Sequence, residues 1–291
     1  MAGKSALARK LPWNDKAGRF APLKALTLVL LPVPALVLLY NTLTVGLGAR
    51  PAIEANHFLG DWTIYFLLIT LAVTPARRLF EVSRLIQVRR MIGLTALFYI
   101  LLHVTLYIVD SAFNLVFVAQ EIVLRIYLTI GFVAVMGLVA LGVTSTDGMV
   151  KRLGAPAWNR LHQIIYVIGF LAFLHYYMQA KADVTRAVLL SGFYFWLMGY
   201  RIMARLGYKQ GFLPLVVLAV AAALTTAFAE AGWYQLVRPG IGMRALLANL
   251  DLSVDIRPAW WVLAAGLAVA VAAEIRRRIG QIRGAPRAAS A

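Results

Sequence analysis

Apolar residues in this chain run in long unbroken blocks, and polar residues collect in the short breaks between them. Eight such blocks stand at 24–47, 57–76, 91–109, 124–145, 158–180, 187–205, 212–235 and 259–275. About 20 apolar residues is what a helix needs to cross the hydrocarbon core of a bilayer. A membrane barrel would show short alternating segments instead. The pattern therefore predicts an all-α integral membrane protein, a polytopic bundle of about eight transmembrane helices. Pro32 and Pro34 fall inside the first block and predict a kink there. Helically spaced apolar positions in 241–256 predict a helix lying on the outer surface. The connections are too short for a soluble domain, and no internal repeat is visible. The first block is too long for the core of a cleaved signal peptide.

Composition agrees and narrows the chemistry. Of 291 residues, 62% are hydrophobic and 14% charged, against about 45–50% and 25% in soluble domains. There is no cysteine, which removes disulfides, iron–sulfur clusters, thiolate catalysis and covalent c-type haem. A net charge of +17 would suggest nucleic acid in a soluble protein. Here the basic residues follow the topology. With the N-terminus inside, inner segments carry 22 Lys and Arg and outer segments 7. That bias predicts both termini in the cytoplasm, and no nucleic-acid role is needed. Trp233 with Tyr234, and Trp260 with Trp261, read as interfacial anchors at the outer ends of spans seven and eight.

All four histidines, His57, His103, His162 and His175, lie in or at the edge of apolar blocks. Intramembrane ionisable groups are costly and mark functional sites by default. A bland alternative for any one of them is a hydrogen bond to a neighbouring helix's carbonyl. Depth separates the four. His103 lies 12 residues above Met91, about 18 Å along a helix. His175 lies 13 residues above His162, which itself sits about 6 Å into span five. His103 and His175 thus share a level in the outer half of the membrane. Two imidazoles at one level on two helices can bind one iron from opposite sides, a b-type haem site in a helix bundle. His57, at the outer edge, reads as an interfacial histidine that can also cap a haem propionate. His162 and His175 differ by about 140° around an ideal helix, so either the helix is distorted, near Gly169, or they face different neighbours. Four turns below His103 stand Arg89 and Arg90, suited either to inner-surface anchoring or to holding a propionate, a flavin phosphate or a quinone oxygen.

Several runs then become recognisable. Arg89-Arg90-Met91-Ile92-Gly93-Leu94 leads to Leu102-His103; Thr144-Ser145-Thr146-Asp147-Gly148-Met149 follows; Arg160-Leu161-His162-Gln163 leads through Tyr166 to Leu174-His175-Tyr176. Together with Gly60 after His57-Phe58 and with Thr74-Pro75, they resemble the MsrQ (YedZ) family of the ferric-reductase-like transmembrane group over about residues 10–206. The resemblance implies a haem-binding membrane subunit of a periplasmic methionine sulfoxide reductase system in the bacterial inner membrane. It implies haem b and FMN as cofactors, the quinone pool as electron donor, and an MsrP-like partner carrying a molybdenum cofactor. His103 and His175 become the expected haem ligands, and His162 a third ligand or a second-site residue. The Thr144–Gly148 segment, from its residues alone, reads as a helix stop with an Asp-Gly turn. Relative to the family's six spans, this chain carries two more. The implied organisation is a cytoplasmic segment over 1–23, a six-helix haem-binding core over 24–206, two additional helices over 207–276 and a basic cytoplasmic tail over 277–291.

The resulting expectation is a transmembrane electron conduit embedded in the lipid bilayer, with terminal catalysis on a partner. There is no G-x-G-x-x-G after a strand and no P-loop, so a quinol or a separate flavin reductase is the expected donor. The alternative is a proton or solute transporter using intramembrane histidines. It predicts carboxylates near the histidines and repeat symmetry, whereas Asp61 and Asp110 sit at span ends.

Overall fold

The computed structural model describes residues 11–15, 17–180, 183–253 and 255–284. The tail beyond residue 284, and Lys4, Arg9, Lys10, Lys16 and Lys181 of the charge count, lie outside the described residues. Eight helical spans are long and apolar enough to cross a membrane, from Pro22–Thr44 to Pro258–Ile282, and each overlaps one of the eight apolar blocks. The protein is a polytopic helical membrane protein, with no strand among the described residues. The helices are α1 Pro22–Leu30, α2 Val33–Thr44, α3 Pro51–Leu79, α4 Ile86–Asp110, α5 Leu115–Leu124, α6 Ile126–Val143, α7 Asp147–Leu153, α8 Ala155–His162, α9 Ile165–Ala180, α10 Thr185–Arg205, α11 Phe212–Val237, α12 Gly242–Leu247 and α13 Pro258–Gly284. They pack as two compact units, one of residues 1–74 with 83–175 and one of 75–82 with 176–291.

In the first unit, the proline pair breaks the first span between α1 and α2, as expected. Proline cannot donate, so the break frees backbone groups that lipid cannot satisfy. The buried Tyr99 hydroxyl of α4 fills the gap. It accepts from Ala35 N–H and donates to Leu31 O, both at 3.0 Å. Helix α6 carries glycines where neighbours press closest. A Cβ on Gly137 would lie 2.7 Å from Ile168, and one on Gly142 would lie 2.2 Å from Leu97.

Two local expectations are corrected in this unit, and one further helix appears. The segment before span four holds a separate apolar helix, α5, which Asn114 caps by accepting from Phe117 N–H at 3.0 Å. Arg125, which pairs with Glu121, then turns extended and starts α6 afresh. The distortion in span five is not at Gly169. It lies at Gln163 and Ile164, which bond three residues back to Arg160 and Leu161 in one tight turn between α8 and α9. Asp147-Gly148 is not a turn but the start of α7, because the Thr146 side chain accepts from Met149 N–H and caps it. The next helix begins after Gly154, whose φ of +74° suits glycine.

In the second unit, α10, α11 and α13 pack through small residues. A Cβ on Gly192 would lie 2.4 Å from Val262, and one on Gly266 would lie 2.6 Å from Ala219. Without a hydrophobic drive between helices in lipid, such close backbone approach supplies the packing. Within the 241–256 stretch, α12 and a short turn over Ala248–Leu250 are helical, and Asn249 O there accepts from Trp260 Nε1–H at 2.7 Å. Trp233 is not simply an interfacial anchor. It packs on Tyr177, ring centres 5.2 Å apart, against a buried cluster with Val184 and Val188. A fully buried carboxylate, Glu230, meets Arg257 at 2.6 Å.

Candidate functional site

His103 projects from the C-terminal half of α4 toward α3. Its Nδ1 lies 2.8 Å from Asn56 O. A carbonyl only accepts, so Nδ1 carries the proton and Nε2 keeps its lone pair. The Asn56 side chain returns the contact, donating through Nδ2 to His103 O at 2.8 Å. One turn on, Gly60 leaves the imidazole its space, since a Cβ there would lie 3.2 Å from Cε1 and Nδ1.

His175, on α9, repeats the arrangement against α6. Its Nδ1 donates to Tyr127 O at 2.8 Å. Gly131, again four residues after the accepting carbonyl, lies so close that a Cβ would stand 2.7 Å from Nδ1. Neither Nε2 makes a hydrogen bond among the described residues. The two imidazoles lie within electrostatic range of each other, with His57 and Asp61 also in range of His103. An N–H fixed by a carbonyl sets the tautomer and the ring orientation of a metal-binding histidine and raises its basicity. Two neutral imidazoles, each with a free nitrogen, are a donor set that would suit the iron of a haem. A bare metal ion is a poorer match: among the described residues no three His, Asp or Glu side chains gather to hold one.

His162 is built differently. Trp158 stacks on its ring at 3.7 Å between centres, and Trp158 Nε1–H donates to Thr144 O at 2.8 Å. The Thr144 hydroxyl donates to Ala140 O and lies 3.3 Å from His162 Nε2. With its only proton spent on Ala140, the hydroxyl accepts from Nε2–H. The nitrogen left free on His103 and His175 is thus engaged on His162. Arg89 and Arg90 lie within electrostatic range of this ring, the neighbourhood that counting turns below His103 indicated. Arg90 also pairs with Asp147 at 2.5 Å. This second cluster therefore joins one aromatic-stacked histidine to two guanidiniums. His57 is exposed, one turn before Asp61 on α3.

Of the sequence candidates, then, His103 and His175 share one kind of setting, and His162, Arg89 and Arg90 gather in another. The supports Asn56, Tyr127 and Gly131 escaped the sequence reading, because a carbonyl that fixes an imidazole leaves no side-chain signal. A glycine inside an apolar helix was the one visible trace.

Comparison with known proteins covers the same region. Residues 59–174 match the family described as ferric reductase like transmembrane component. A relative named protein-methionine-sulfoxide reductase heme-binding subunit MsrQ, from Herminiimonas arsenicoxydans, is 47% identical over 163 residues, 55% of this chain and 74% of the relative. Proteins of the same name are 43% identical in Xanthomonas campestris pv. campestris strain 8004, over 57% of this chain and 76% of the relative, and 39% identical in Rhodospirillum rubrum, over 65% and 89%. No solved structure matches the chain.

Proposed function

The chain belongs to the MsrQ family, and on that premise we propose that it is the haem-binding, electron-transferring membrane subunit of a methionine sulfoxide reductase system, in which His103 and His175 would hold the iron of haem b. The observation that carries this reading is the paired setting of the two imidazoles. Each Nδ1–H is tied to a backbone carbonyl at 2.8 Å, and each ring lies over a glycine. Haem b, when bound, supplies a one-electron carrier. The chain's own part is to present two neutral nitrogens, hold both rings in one orientation and keep the region dry with apolar helices. His57 and Asp61 stand at the outer edge of this site, where a propionate would be met.

The inner cluster of His162, Trp158, Arg89 and Arg90 is the proposed point of electron entry. Two guanidiniums suit a flavin phosphate or a quinone oxygen, and the engaged Nε2 of His162 favours a second-site role over iron ligation. In this reading FMN binds at that end and the quinone pool is the donor. The acceptor is an MsrP-like molybdenum reductase in the periplasm. The host membrane is the bacterial inner membrane, with residues 1–23 and 277–291 in the cytoplasm, as the 22-to-7 basic bias supports. The functional boundary of this reading separates a haem-binding core over 24–206 from additional helices over 207–276.

The test is a visible spectrum of protein purified from haem-replete cells, before and after dithionite. A Soret band that shifts on reduction, and is reoxidised by a sulfoxide-loaded partner reductase, is expected. A colourless protein would contradict the proposal.

A further inference from the structure

The second unit contains a cavity of about 130 Å³ at its arginine-rich end. It opens where the end of α3, the start of α11 and the end of α13 meet. Its polar lining is Arg78, Arg277, Gln210, Glu81 and Glu274, and Leu79, Phe212 and Leu215 form an apolar wall.

Two arginines and two glutamates line the cavity, and Arg276 and Arg278, which pair with those glutamates from outside the lining, add to the positive side. Glu274 is already paired with Arg277 at 2.5 Å and with Arg278 at 2.8 Å, and Glu81 with Arg276 at 3.6 Å. Counting Arg78, Arg276, Arg277 and Arg278 against Glu81 and Glu274 leaves a surplus of two positive charges. The Tyr200 hydroxyl, itself bonded to Arg78, donates to Gln210 Oε1. The Gln210 amide N–H groups are left to serve a further acceptor. Gly211 opens α11 with no side-chain cap, so the first N–H groups of a 26-residue helix add positive potential beside the cavity. The apolar wall continues directly into membrane-spanning surface, with Phe212 42% exposed.

We propose that this cavity is a binding site for the phosphate headgroup of an anionic phospholipid. Arg78 and Arg277 take the phosphate oxygens, Gln210 donates to the headgroup, and the acyl chains lie along Phe212 and the flank of α11. A basic pocket between helix ends at the level of the lipid phosphates is where such recognition occurs. The apolar wall is what separates a lipid from free phosphate as the occupant. Arg78, Leu79 and Glu81 of this site lie within the residues matched by the ferric-reductase family model, whereas Gln210, Phe212, Leu215, Glu274 and Arg277 lie beyond them, and the site gives those additional helices a role in seating the protein in anionic membrane.

The full-length protein, purified in neutral detergent, is titrated with short-chain phosphatidylglycerol or phosphatidylcholine, and retained lipid is counted by native mass spectrometry. Phosphatidylglycerol is expected to bind in preference, and Arg78→Gln and Arg277→Gln are each expected to weaken it by about fivefold. Gly211→Leu tests the cavity with every charge in place. A Cβ at Gly211 meets nothing closer than 3.9 Å, so the backbone tolerates the change while the side chain fills the space, and binding should fall. Arg152→Gln, at an exposed arginine of the other unit, should leave binding unchanged. Equal binding of both lipids would overturn the proposal, as would a loss in Arg152→Gln equal to that in Arg78→Gln, or normal binding by Gly211→Leu. Full displacement of phosphatidylglycerol by millimolar inorganic phosphate would assign the cavity to free phosphate instead.

Discussion

Gly131 lies against His175 with no room for a side chain between them: a Cβ would stand 2.7 Å from the ring's Nδ1. The Gly60–His103 pair repeats the relationship at 3.2 Å. In an ordinary helix interior, replacing glycine by alanine stabilises by about 1 kcal/mol. Here the sign reverses for haem retention. Gly131→Ala must displace the imidazole from Tyr127 O, and losing such a supporting contact weakens metal binding by about 10-fold or more. Gly60→Ala, with the looser contact, should lose less. The haem-to-protein ratio after purification checks both, and an unchanged ratio in Gly131→Ala would show that this close contact does not position the ring.

Tyr99 makes a prediction about stability alone. Its hydroxyl bridges Leu31 O and Ala35 N–H across the proline break. Tyr99→Phe leaves both backbone groups without a partner in a site lipid cannot satisfy, at a cost of about 1–3 kcal/mol. Thermal unfolding in detergent should shift downward, with the position of the Soret band unchanged. An unaltered midpoint would mean that the break is satisfied in another way.

Glu230 and Arg257 form the buried ion pair of the second unit. Glu230 is fully buried, and the Arg257 side chain is 25% exposed. Removing one partner strands the other, at a cost of about 3 kcal/mol, the low end for a buried pair because Arg257 keeps some solvent. Glu230→Ala should therefore destabilise more than the double variant Glu230→Ala with Arg257→Met. If the double variant is worse by the sum of the two, the pair is not coupled.

The eight spans were legible because each is a long apolar run, and a membrane leaves helices few other options. Rise per residue puts His103 and His175 at one level, and the two rings lie within electrostatic range of each other. Finer features depended on single contacts. The helix break in span five sits at Gln163 and Ile164 rather than at Gly169, where neither residue type signals a break. Thr146 caps a new helix where Asp147-Gly148 suggested a turn, because the same residue types favour both. Helix α5, at 10 residues, is too short to show as a span in the apolar pattern. Glu230 is a lone acid in an alanine-rich span, and its pairing with Arg257 shows how it is tolerated.

His162 separates two readings of the inner cluster. Its Nε2 is engaged by Thr144 and its ring is stacked on Trp158. His162→Ala should keep the principal haem signal while weakening reduction by a quinol or a reduced flavin. Stopped-flow reduction checks this. Loss of the whole haem signal would make His162 an iron ligand after all.

The central claim is that His103 and His175 hold one haem between them, and the most direct measurement is the dithionite-reduced minus oxidised spectrum of His103→Ala and His175→Ala beside the unaltered protein. Each substitution should abolish the principal low-spin haem signal in protein that still purifies as a monodisperse species. Full haem content with an unchanged spectrum in either variant would contradict the pairing.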